Sequence, residues 1–101
     1  MTKKITIGIK EPGQSWHFSE VEDTLNTYQR IVGGYIEGFY TNYLGLHFFC
    51  NEEGKFMNLK PNLIAGGEVI VGTVFCVRSD DEGAFTSVTG EDIAVLSEAG
   101  D

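Results

Sequence analysis

Cys50 to Asn62, CNEEGKFMNLKPN, gathers more groups able to do chemistry than any other run of the chain. Asn51, Lys55, Asn58, Lys60 and Asn62 set amides and amines at close intervals. Amides meet base edges and hydroxyls, and amines meet phosphates. With Gly33-Gly34 and Gly66-Gly67 allowing close backbone approach, Asn51, Lys55, Asn58 and Asn62 form a candidate site for a small anionic ligand, such as a nucleotide. The simpler reading is a turn. Apolar runs flank Asn51, Glu52, Glu53 and Gly54, which predicts a hairpin loop with Gly54 left-handed and a returning strand over Phe56 to Leu59. A calcium loop fails, because the cation of Lys55 stands where an oxygen ligand should be.

The other reactive side chains are dispersed. His17 and His47 are the two histidines, and His47 lies three residues before Cys50, which on a strand sends the two to opposite faces. That spacing favours neither a metal site nor a cysteine–histidine nucleophile, so no metal or cofactor is expected. The carboxylate runs Glu52-Glu53 and Asp80-Asp81-Glu82 sit in polar turns, where solvated acids are the rule. No phosphate-binding loop, dinucleotide fingerprint or nucleophile elbow occurs. The expectation is a protein that binds rather than catalyses.

Charge limits what it binds. Seven basic residues against fifteen acidic ones leave a formal net charge of -8. The first ten residues carry Lys3, Lys4 and Lys10 and no acid, whereas Asp80, Asp81, Glu82, Glu91, Asp92, Glu98 and Asp101 follow Ser79 without any Lys or Arg. Such a field repels phosphate backbones, so no direct contact with nucleic acid is expected. It suits a basic protein surface, and equally serves solubility alone. Cys50 and Cys76 lie in apolar runs, as buried thiols of a reducing cytosol do, with a bridge left open if their strands pair. No run approaches the ~18 apolar residues of a membrane span. The reading is cytoplasmic, with no membrane contact.

These residues need elements to hold them. At 101 residues and 42% hydrophobic, one domain over 1–101 is expected. Ile5, Ile7 and Ile9 alternate with polar neighbours as a half-buried strand, closed by Glu11-Pro12-Gly13, with a return strand through Trp16 and Phe18. Leu25, Tyr28 and Val32 recur at helical spacing, predicting a helix over about 23–32 that Gly33 stops. Tyr35 to Tyr40 and Leu44 to Cys50 read as strands, and Val69 to Val77 as one long central strand. Phe85 to Val88 reads as a short edge strand. Thr89 and Asp92 have capping-box spacing and open a short helix over about 90–98 with Ile93 and Leu96 inward. The class is α+β, a mostly antiparallel or mixed sheet with two helices. Trp16, Tyr35, Phe39, Tyr40 and Tyr43 are expected mainly in the core. Those facing outward would serve a protein partner or a homodimer.

Four stretches, in order, carry a resemblance: MTKKITIGIKEPG at the start, TLNTYQRIVGGYIE at Thr24 to Glu37, CNEEGKFMNLKPN, and GTVFCV at Gly72 to Val77. Together they resemble a domain-of-unknown-function family of short proteins carried by conjugative elements, plasmids and phages of Gram-positive bacteria. The likeness runs to about Val77 and weakens beyond. It departs at Leu59-Lys60-Pro61, where the family often reads Leu-Pro. The genetic setting resembles that of antirestriction and anti-CRISPR genes. The resemblance implies a protein that blocks a host defence nuclease by occupying its basic nucleic-acid surface, with carboxylates placed like phosphates. Asp80, Asp81, Glu82, Glu91 and Asp92, with Glu52 and Glu53, are the residues expected to carry that charge. The alternatives are sequestration of a nucleotide immune signal by the Asn51–Asn62 set, or an interaction module in conjugation or transcription control.

Overall fold

A computed structural model describes residues 3–98. The strands are β1 (Lys4–Lys10), β2 (His17–Glu22), β3 (Ile36–Phe39), β4 (His47–Asn51), β5 (Pro61–Ala65), β6 (Glu68–Val71), β7 (Val74–Ser79) and β8 (Phe85–Thr86), and the helices are α1 (Leu25–Val32) and α2 (Gly90–Glu98). The main sheet runs β2-β1-β7-β4-β3, with β8 joined to the end of β7, and β5 and β6 form a separate hairpin. Every pairing is antiparallel. The α+β class holds, with both helices where their spacing placed them and an antiparallel sheet.

Period two explains the layers. Ile5, Ile7 and Ile9 point to one face of β1 and meet Tyr28 and Val32 of α1, with Phe75 and Val77 of β7. Phe48, Cys50, Val74 and Cys76 point to the other face and meet Ile70 of the β5–β6 hairpin, Val88 and Leu96 of α2. The main sheet is therefore covered on both sides, and β7 at its centre buries Val74, Phe75, Cys76 and Val77 in succession. A continuous apolar run is what such a strand requires.

Caps define the helices. The Thr24 hydroxyl accepts from the Thr27 N–H at 3.2 Å, and Gly33 ends α1 at φ +82°, its N–H donating to the Gln29 carbonyl at 2.8 Å. At α2 the Asp92 N–H donates to Thr89 Oγ1 at 3.0 Å, and Asp92 Oδ2 accepts from the Thr89 N–H at 2.8 Å. The expected capping box is present, with Asp in the place usually held by Glu.

Two expectations are corrected. Val69 to Val77 is two strands, because Gly72 turns the chain at φ +80° and passes β6 of the hairpin into β7 of the sheet. The predicted strand over Phe56 to Leu59 is a helical turn. Met57 N–H donates to Glu53 O, Asn58 N–H to Lys55 O, and Leu59 N–H to Gly54 O, and the left-handed residue is Asn58 at φ 58°, not Gly54 as expected. That pair of closing bonds is a Schellman motif in which Asn takes the usual glycine position. CNEEGKFMNLKPN thus carries the chain out of β4 and into the separate hairpin, and Pro61 opens β5.

Candidate functional site

The candidate residues fall at different ends of the sheet. β7 delivers Arg78 and Ser79 to one end, and the turn Asp80–Gly83 follows at once. Asp80 shapes this turn, since its Oδ1 accepts from the N–H of Glu82 at 2.9 Å and of Ala84 at 3.0 Å. Asp81 and Glu82 remain exposed, as does Glu91 in the first turn of α2.

Asp92 is not among the free acids. It is 5% exposed, and its two oxygens accept from Arg78 Nε and Nη2 at 2.6 Å each. This bidentate bond to Arg78 and the bonds from Thr89 hold its carboxyl down at about 2, against the opposing effect of burial. The same bond pushes Arg78 further up. Asp92 is a clamp fastening α2 to the end of β7, which corrects its expected place on a partner surface. Glu52 and Glu53 are exposed but distant. β4 pairs His47 with Val77 and Phe49 with Phe75, so its Asn51 end lies beside the start of β7. A six-residue strand separates the two acidic groups by roughly 20 Å.

An apolar element joins the acidic end. The loop between β3 and β4 leaves Tyr40 95% and Leu44 94% exposed, and the Leu44 carbonyl accepts from Arg78 Nη2 at 3.5 Å. Trp16, Phe39 and Tyr43 pack into the core as expected, whereas Tyr35, 66% exposed, and Tyr40 face out. At the same end Ser79 Oγ and His47 Nε2 are 2.9 Å apart. No third side chain among the described residues orients the imidazole from Nδ1, so this pair lacks the arrangement of a nucleophile and its base.

The amide-and-amine set does not converge. Asn51 is buried, its Nδ2 donating to Val32 O at 3.1 Å and its Oδ1 accepting from the Glu53 N–H at 2.8 Å. It pins the end of α1 to the turn after β4. Lys55 lies 4.0 Å from Glu68 on the surface, an arrangement worth little. Asn58 is engaged by its backbone role. Asn62 points elsewhere, donating to the carbonyls of Lys10 and Gly72 at 2.7 Å each and accepting from Lys10 Nζ at 2.8 Å. Lys10 was absent from the sequence candidates because it stands in the polar phase of β1, a phase that covering of the second face turns inward.

Cys50 and Cys76 are free and buried, with burial pushing the thiols up to about 11 and about 12. Their strands do pair, but Cys76 stands opposite Phe48, two residues from Cys50. Among the described residues no three His, Cys, Asp or Glu side chains gather as metal ligands, and no helix is long and apolar enough to cross a membrane.

A family model described as "Domain of unknown function (DUF3846)" matches residues 5–100. The match continues past Val77 through the acidic turn and α2, beyond the reach of the quoted motifs. No curated protein and no solved structure matches the chain. The chain belongs to the DUF3846 family.

Proposed function

We propose that this chain is a non-catalytic accessory protein of a mobile genetic element, acting in the cytoplasm. On this reading it binds a host defence nuclease of the CRISPR or restriction type on its basic nucleic-acid surface. One observation carries the reading: three exposed acids, Asp81, Glu82 and Glu91, lie at the same end of the sheet as the almost fully exposed Leu44. An apolar anchor with a charged rim is the anatomy of a protein interface, and carboxylates at that rim complement a surface built for phosphates. The class of partner follows from the resemblance to proteins of mobile elements described above, on which this reading rests. Asp92 serves as the clamp that holds Glu91 in place, and Glu52 and Glu53 stand outside the surface.

The test uses Asp81→Lys, Glu82→Lys and Glu91→Lys together, leaving Asp80 and Asp92 unchanged because both hold backbone N–H groups. The variant should keep its melting temperature and lose at least about tenfold in affinity for the nuclease, with loss growing at low salt. Undiminished inhibition by that variant would rule out the acidic surface as the binding face.

A further inference from the structure

Lys10 is 2% exposed, yet no carboxylate among the described residues pairs with it. Its ammonium has Asn62 Oδ1 at 2.8 Å and the Asn62 carbonyl at 3.5 Å. An ammonium has three donors and a full charge, and a buried charge held only by amide oxygens is under-compensated. Simple packing at this position is better served by Met or Leu.

Asn62 is placed for this contact. Pro61 pairs with Val71 and Leu63 with Ile70, so Asn62 is the extra residue of a β-bulge in β5. Bulges re-aim side chains and concentrate beside functional sites. This one turns the Asn62 amide across to Lys10 and to the Gly72 carbonyl, tying the hairpin to β1 beneath a cavity.

The cavity lies between the sheet, the β5–β6 hairpin and the loop at 40–43, and has a volume of about 700 Å³. Trp16, Tyr43, Phe48 and Leu63 line it with Lys10 and Asn62. The rings of Trp16 and Tyr43 each stand 5.8 Å from that of Phe48. No acid contributes to the lining although the chain has fifteen, and Lys10 is its one charged residue. Aromatic walls with a few convergent polar groups are the make-up of a small-molecule site, and the volume is within the usual range.

We propose that this cavity binds a small planar molecule bearing one anionic group, a phosphate or a carboxylate, which pairs with Lys10 and Asn62 while its ring lies among Trp16, Tyr43 and Phe48. The site is independent of the acidic end. It differs from the Asn51–Asn62 set, of which it keeps only Asn62.

Trp16 is the single tryptophan and reports on the site directly. The intact chain is titrated with adenosine 5′-monophosphate and with 4-hydroxybenzoate, each beside its uncharged counterpart, adenosine and phenol. The proposal expects a saturable change in Trp16 fluorescence and a raised melting temperature with at least one anion. It expects binding weaker by at least about tenfold for the neutral counterpart and for Lys10→Met. Response to the phosphate alone or to the carboxylate alone identifies the head group. Ala65→Phe, which fills the cavity and leaves Lys10 and Asn62 intact, should abolish the response and guards against misfolding of Lys10→Met. Silence with both anions up to about 5 mM, equal binding of the neutral compounds, or binding unaltered by Ala65→Phe overturns the proposal.

Discussion

The Arg78–Asp92 clamp joins the end of the central strand to the first turn of α2 and so fixes where Glu91 points. Asp92 titrates at about 2 in the folded chain, below its ordinary value of 3.8. A depressed carboxylate stabilises above its unfolded pKa, and that contribution is lost as pH falls through the folded one. Asp92→Asn should therefore cost on the order of 2 kcal/mol at pH 7. The difference in urea midpoint between wild type and variant should hold down to about pH 5 and nearly vanish by about pH 2. A gap unchanged at pH 2 would mean the pair does not act through charge. The two thiols give a second check. With burial raising both, modification of Cys50 and Cys76 at pH 8 should proceed only as fast as the chain opens, and immediately in denaturant. Rapid labelling of the folded chain would contradict the packed second face.

Among the elements, the sequence was most legible where local chemistry alone decides. Alternation in Ile5-Thr6-Ile7-Gly8-Ile9, the Thr89–Asp92 cap and Gly33 each specify their own geometry within a few residues. Where a non-local surface decides, the pattern misleads. Gly72 sits inside a stretch rich in β-branched residues, and only the separate packing of the β5–β6 hairpin requires a break there. Gly72→Ala should cost well over about 1 kcal/mol, because φ +80° is strained for alanine and the added methyl would press on Leu59. The turn at 54–58 was hidden for a related reason, an asparagine in a glycine's role. Asn58→Gly should leave thermal stability within about 0.5 kcal/mol, whereas Asn58→Val should cost about 1–2 kcal/mol. Equal tolerance of both would argue against the left-handed closure.

At the scale of the molecule, the fold sorts charge and apolar surface into separate places. Acids and Leu44 share one end of the sheet, while the single buried lysine faces an acid-free cavity on one side of it. Composition showed the excess of acid but not its sorting, because Glu52-Glu53 and Asp80-Asp81-Glu82 look alike as text and the antiparallel pairing of β4 with β7 sends them to opposite ends. Lys10 was invisible for the same reason, its burial being a property of the second covered face. Engagement of a nuclease by the acidic end in place of nucleic acid, as proposed above, is checked by capturing tagged wild type and the Asp81→Lys, Glu82→Lys, Glu91→Lys variant from a host lysate containing native defence systems, with and without excess duplex DNA. Wild type should retain a nuclease stoichiometrically and release it to DNA, and the variant should retain none. A nuclease retained equally by both proteins, or none retained by wild type, would rule that engagement out.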